Sequence, residues 1–161
     1  MKFLTSTVAL ISLCLTPALA APAAAPEPAT DASTAAVSVS VSYDTSYDNA
    51  GASLTTVSCS DGANGLITQG YSTFGSLPKF PLIGGAPTIP GWNSPNCGNC
   101  YSIHYKAGKV DKTIYVTAID AAPGGFNLGL RAMNQLTNNQ AQQLGRVTAT
   151  YALADPSKCG F

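Results

Sequence analysis

Two cysteines, Cys97 and Cys100, are separated by two residues in a segment rich in turn-forming residues. A pair at this spacing is typical of a redox couple or of half a zinc site. Redox pairs of the thioredoxin type begin a helix, whereas Pro95 and Gly98 favour an irregular loop here. Zinc would need a second pair of ligands, and His104 is the only histidine. We therefore expect neither redox chemistry nor a metal.

The first twenty residues predict export from the cell. A positive start is followed by an apolar run from Phe3 to Leu15 and by Ala-Leu-Ala at 18–20, which is typical of a secretory signal peptide at residues 1–20. No later segment is long and apolar enough to be a membrane anchor. We expect a secreted protein that is extracellular or held in the cell wall.

Removal of the signal peptide takes Cys14 away and leaves four cysteines. An even number in an oxidising compartment predicts disulfide bonds. Four cysteines allow three pairings, and their positions alone do not choose between them. Trp92 lies in the loop that Cys97 fixes and is expected to pack against its disulfide. The four cysteines are Cys59, Cys97, Cys100 and Cys159.

Composition divides the rest of the chain into a spacer and one domain. Residues 21–36 are nearly all Ala, Pro, Thr and Ser and are expected to be a disordered spacer or a trimmed pro-segment. Residues 37–161 are long enough for a single core. Seven Lys and Arg nearly balance six Asp there, so nothing attracts nucleic acid or an anionic membrane strongly. Glutamate is absent from the domain because Glu27 is the only one in the chain.

Segments with strand character predict a small β-barrel with one or two short helices on its flank. Helical spacing of apolar residues occurs only between Leu128 and Leu144, where Asn138 or Asn139 is expected to cap a second short helix and Gly145 to end it. A glycine-containing turn joins the second and third of four predicted strands. The four strands are 37–43, 101–106, 112–120 and 147–153.

Several motifs occur in an order that resembles the cerato-platanin family of small secreted fungal proteins. The resemblance implies a six-stranded double-ψ β-barrel, similar to the first domain of expansins, with disulfides Cys59–Cys97 and Cys100–Cys159. The motifs are Tyr43-Asp44, Cys59-Ser60-Asp61-Gly62, Gly65-Leu66, the segment from Gly91-Trp92 to Cys100, Asp120, Gly124-Gly125-Phe126-Asn127, Gly145-Arg146-Val147 and Cys159.

The same resemblance implies a function in the fungal cell wall. It implies binding to chitin or N-acetylglucosamine oligomers, with cellulose as a further ligand, and an expansin-like activity on the wall. It also implies recognition by plant surface receptors as an elicitor of defence. We expect a monomer that uses no cofactor.

The candidate carbohydrate-binding residues follow from position and from the resemblance. Asp120 ends an apolar strand before a glycine-rich loop, so we expect its carboxylate at the barrel rim, where the resemblance places an Asp against polysaccharide. In that case, loss of its carboxylate should leave stability nearly unchanged. The alternative is that Asp120 only caps the turn at 121–125. The other candidates are Asp44 and Asp61 in turn-forming segments, Tyr43 with its aromatic face, and Asn127.

Glycosidases normally use two carboxyl groups, one as the acid and one as the base or nucleophile. Only Asp120 is clearly placed and no glutamate can serve as the acid, so we expect no enzymatic activity. One alternative is a weak polysaccharide hydrolase that uses Asp120 with Asp44 or Asp61. Another is a hydrophobin-like surface-active protein that adsorbs through the apolar segment 80–87, unless this segment packs under the barrel. His104 lies in a predicted strand and is not expected to be catalytic.

Overall fold

The computed structural model describes residues 36–161 of the chain. The predicted signal peptide and all of the predicted spacer except Ala36 lie outside the described residues. Within 36–161, no helix combines the length and the apolar character that are needed to cross a membrane.

Six strands form the body of the domain: β1 (Val37–Tyr43), β2 (Ile83–Ala86), β3 (Cys100–Ala107), β4 (Val110–Ala121), β5 (Phe126–Leu128) and β6 (Arg146–Leu153). They close into a barrel in the order β1, β5, β2, β4, β3, β6. β1 runs parallel to β5 and β2 runs parallel to β4, whereas the other four neighbouring pairs are antiparallel. The six-stranded barrel that the resemblance implied is confirmed.

The four strands predicted from the sequence are confirmed as β1, β3, β4 and β6. Alternation places Val41 of β1 in the core, fully buried, while its neighbours Ser40 and Ser42 are only partly buried. Ile103 of β3 and Val116 of β4 are also fully buried. The predicted hairpin between β3 and β4 turns at Gly108, whose φ of 55° favours glycine.

The two strands that the sequence pattern did not reveal, β2 and β5, close the barrel. All four residues of β2 are buried. A Cβ atom added at Gly84 would collide with the backbone of Asn127 and Leu128, so glycine allows β2 and β5 to approach closely. The hypothesis that segment 80–87 forms an adsorbing surface is therefore wrong, because its second half is strand β2 inside the barrel wall.

The helical region is confirmed with corrected boundaries. It contains α1 (Leu130–Thr137) and α2 (Ala141–Leu144), and Leu128 belongs to β5. Asn138 does not cap the second helix: with a left-handed φ of 56° it ends the first, and Gln140 is the N-cap residue of α2. Asn139 does not cap it either. Gly145 ends α2 as predicted.

Two disulfides join Cys59 to Cys97 and Cys100 to Cys159. This confirms the pairing that the resemblance implied. The first bond joins two long loops, one before β2 and one before β3. The second attaches the last turn of the chain, Pro156–Cys159, to the start of β3.

Candidate functional site

Asp120 lies near the end of β4, where it accepts four hydrogen bonds. Oδ1 accepts from the backbone N–H of Ser58 at 2.9 Å, from the Ser58 hydroxyl at 2.7 Å and from the backbone N–H of Ala121 at 2.8 Å. Oδ2 accepts from the Tyr47 hydroxyl at 2.9 Å. The strand therefore holds a carboxylate against two loop segments that are 62 and 73 residues away in sequence.

These bonds change the interpretation of Asp120. Its contact with the N–H of Ala121 agrees with the alternative that it caps the following turn. Its contacts with Tyr47 and Ser58 go further, because they tie the loops between β1 and β2 to the barrel. The expectation that loss of this carboxylate leaves stability nearly unchanged therefore disagrees with the structure. A single lone pair on Oδ2 is left for a ligand.

The Tyr47 phenol is held in its protonated state. Tyr47 is only 7% exposed. Burial raises its pKa well above the ordinary value, and the nearby Asp120 carboxylate raises the pKa further. Tyr47 therefore remains a hydrogen-bond donor to Asp120 throughout the neutral pH range.

Asp44 and Asp120 both line a shallow groove of about 370 Å³, which we call the Asp120 groove. Asp44 is exposed, and its Oδ1 accepts a hydrogen bond from the Ser46 N–H at 2.8 Å, which caps the short 3₁₀ turn Thr45–Asp48. The other lining residues are Ser46, Tyr47, Asn49, Ala52, Thr56, Val57 and Phe74.

Tyr43 and Asn127 line a second depression of about 350 Å³, which we call the Asn127 pocket. Asn127 Oδ1 accepts from the Ser42 hydroxyl at 3.1 Å, whereas its Nδ2 donates to no residue in 36–161. Arg146 also lines the pocket and donates to the Ser40 hydroxyl at 2.7 Å. The two depressions adjoin along the chain, since Tyr43 lines one and Asp44 the other.

Asp61 lines neither depression. Its Oδ1 accepts from the Trp92 indole N–H at 2.7 Å and from the Ser60 hydroxyl at 3.3 Å. The Trp92 bond holds the pKa of Asp61 below its usual value. Trp92 is 63% exposed, so the prediction that it packs against the disulfide is wrong.

The five predicted residues thus fall into three places: Asp44 with Asp120, Tyr43 with Asn127, and Asp61 alone. Sequence reasoning missed Arg146, although its position directly after the glycine that ends α2 places it at the start of a strand and therefore near the rim. It also missed the contacts of Tyr47 and Ser58 with Asp120, because no local sequence pattern indicates contacts between residues so far apart in the chain. Among the described residues, no group of three His, Cys, Asp or Glu side chains could hold a metal ion.

The family model described as Cerato-platanin matches residues 39–161. Allergen Asp f 15 of Aspergillus fumigatus is 60% identical over 159 residues, which cover 99% of this chain and 97% of that protein. The crystal structure of cerato-platanin 3 from M. perniciosa superposes with a TM-score of 0.73 at 50% identity, covering 78% of this chain and 100% of that one. The solution structure of the fungal elicitor cerato-platanin superposes with a TM-score of 0.66 at 38% identity, covering 75% and 96%.

Proposed function

This chain belongs to the cerato-platanin family, and from that premise we propose that it is a secreted, non-catalytic protein that binds chitin-type oligomers of N-acetylglucosamine. We further propose an expansin-like, non-hydrolytic action on the fungal wall. The single observation that carries the binding proposal is the pair of adjoining depressions at the barrel rim, the Asp120 groove and the Asn127 pocket. Polar and apolar groups line both of them.

The Asn127 pocket provides the groups that an acetylated sugar needs. The free Nδ2 of Asn127 can donate to an acetamide carbonyl or to a hydroxyl oxygen. The Tyr43 ring offers an aromatic surface beside it, and Arg146 adds further donors. The exposed Asp44, in the adjoining groove, can accept from sugar hydroxyls. Donors in the Asn127 pocket and the Asp44 acceptor in the Asp120 groove favour an uncharged, hydroxyl-rich ligand.

The same geometry argues against hydrolysis. Both oxygens of Asp120 accept hydrogen bonds, so the carboxylate is arranged as an acceptor and not as an acid that donates a proton to a leaving group. Asp44 shares the groove, but its Oδ1 accepts from the Ser46 backbone. The domain holds no glutamate to take the part of the acid.

Binding is tested by NMR or calorimetric titration with chitin oligosaccharides. Asn127→Ala should weaken binding by about tenfold, the cost of one direct hydrogen bond to the ligand. The matched control is Gln142→Ala, which removes an exposed side-chain amide from α2, outside both depressions. Equal affinities of the two variants would contradict the proposal.

Incubation with chitin or cellulose should release no new reducing ends, and release that Asp120→Asn abolishes would establish the hydrolase.

Recognition by plants is a further part of the proposal. The support is the similarity of the fold to the solution structure of the fungal elicitor cerato-platanin. Infiltration of the purified, folded protein into leaves should trigger a defence response, such as an oxidative burst. Protein that has been reduced and alkylated serves as the control for fold-dependent recognition. Absence of a response to the folded protein would contradict this part while leaving the binding proposal intact.

A further inference from the structure

Trp92 is the most exposed of the large hydrophobic side chains in residues 36–161, at 63%. It is not loose, because its indole N–H donates to Asp61 Oδ1 at 2.7 Å. An exposed aromatic side chain with its one polar atom already bound presents a flat apolar surface in a fixed orientation. Holding such a ring in water without covering it calls for an explanation.

The support behind the ring comes from two loops. Gly62 lies against it so closely that an added Cβ atom would be 3.1 Å from Trp92 Cζ2. Asn93 adopts a left-handed φ of 58°, and its Oδ1 and carbonyl oxygen each accept a 2.9 Å hydrogen bond from Asn64. The Cys59–Cys97 disulfide joins the same two loops. The platform is therefore preorganised by covalent and hydrogen-bonded contacts.

The surroundings of Trp92 are polar and not apolar. Asp61, Asn64 and Asn93 are its neighbours in the two loops, and Asp61 Oδ2 accepts no hydrogen bond from any residue that the structure describes. A protein interface would centre such a tryptophan in an apolar patch. A flat apolar face beside a free carboxylate oxygen instead matches a pyranose ring, which presents axial C–H groups on a face and hydroxyl donors at its edge.

We propose that Trp92 and Asp61 form a second carbohydrate contact, at which the indole face stacks on a β-linked pyranose ring and Asp61 Oδ2 accepts from a hydroxyl. This inference rests on the proposed polysaccharide binding and adds a site separate from the two rim depressions. Only two residues separate Asp61 from Ser58, which donates to Asp120, so the Cα atoms of Ser58 and Asp61 lie within about 11 Å of each other. A single oligosaccharide can therefore reach toward both places.

Intrinsic fluorescence tests the proposal directly, because Trp92 is the only tryptophan of the chain. Titration with a chitin hexasaccharide should produce a saturable change in tryptophan emission and protect the ring from acrylamide quenching. By calorimetry, Trp92→Ala should bind the same hexasaccharide about tenfold more weakly than the wild type. Leu153→Ala is the control, since it also truncates an exposed apolar side chain, one that is 54% exposed in the wild type.

Asp61→Asn separates the two roles of the carboxylate, because an amide oxygen can still accept from the indole. The wild-type emission spectrum should be retained, with a smaller loss of affinity than in Trp92→Ala. Unchanged melting temperatures establish that the variants fold.

Calorimetric binding by the wild type with no change in Trp92 emission and no loss in Trp92→Ala would overturn this inference while the proposed function stands. Absence of calorimetric binding by the wild type would overturn both. If the tryptophan emission of Asn127→Ala still responds at higher concentrations of the hexasaccharide, the result would support a Trp92 site separate from the Asn127 pocket.

Discussion

At the scale of single residues, Asp120 connects the end of β4 to two loop segments. Its four hydrogen bonds come from the loops before β2 and from the residue that follows it. A side chain with so many protein partners contributes to folding whether or not it also meets a ligand. Its carboxylate is best understood as a tie between loop and barrel.

We expect Asp120→Ala to lower the free energy of unfolding by about 3 kcal/mol, because the variant leaves the partly buried donors of Tyr47 and Ser58 without an acceptor. Urea denaturation measures this. Asp155→Ala is the matched control: Asp155 is exposed and caps a single N–H, that of Ser157, so the loss should be clearly smaller. Equal losses would mean that the Asp120 bonds contribute no more than an ordinary surface cap.

Tyr47 predicts a specific loss of stability at alkaline pH. Burial raises the folded-state pKa of Tyr47 above its ordinary value of 10.0. The contribution of Tyr47 to the free energy of unfolding is therefore complete below about pH 10 and is lost as the pH rises further. The unfolded chain then releases a proton that the folded chain still holds. Between about pH 9 and about pH 11, Tyr47→Phe should therefore lose less stability than the wild type. If the stability of both proteins changed equally with pH, Tyr47 would ionise with its ordinary pKa and the prediction would be wrong.

At the scale of elements, closure of the barrel depends on Gly84 of β2. Gly84→Ala should destabilise the domain by about 3 kcal/mol, because the added methyl group meets the backbone of β5 across the β2–β5 pair. Thermal unfolding followed by circular dichroism measures the effect. Gly91→Ala is the control, since nothing lies within 4 Å of its added Cβ. A melting temperature of Gly84→Ala close to that of Gly91→Ala would contradict the close approach.

Sequence reasoning found the long strands and missed the short strands for a physical reason. β1 and β4 contain 7 and 12 residues, enough for a recognisable pattern. β2 and β5 contain 4 and 3 residues, and their pairing is set by barrel closure and not by local preference. Local sequence also explains why the capping prediction for Asn138 was wrong. An asparagine can end one helix in a left-handed conformation or cap the start of the next, and the neighbouring residues do not distinguish these two positions.

The candidate site was predictable only in part. The end of an apolar strand placed Asp120 near the rim, but its donors come from residues 62 and 73 positions earlier, which no local pattern reveals. Trp92 was expected to be covered because aromatic residues usually are. The ring instead lies exposed, with its indole N–H donating to Asp61, a contact that the local sequence pattern does not reveal.

At the scale of the whole molecule, the two disulfides should contribute similarly to stability, but only one of them should fix the position of Trp92. They close segments with sequence separations of 38 and 59, for which chain entropy predicts about 4 kcal/mol each. Replacing either pair by serine should lower the melting temperature by comparable amounts. Only removal of Cys59–Cys97 should also loosen Trp92 and raise its acrylamide quenching. Equal quenching in both double variants would contradict the role of this bond in fixing the platform.

The order of strands around the barrel has a consequence for biosynthesis. β1, the first strand, pairs only with β5 and β6, which lie near the other end of the chain. While the polypeptide leaves the ribosome, β1 therefore has no native partner until residues 126–128 and 146–153 have emerged. The barrel cannot assemble strand by strand from its N-terminus, and a chain truncated before β6 leaves both β1 and β3 with an open edge that is exposed to aggregation.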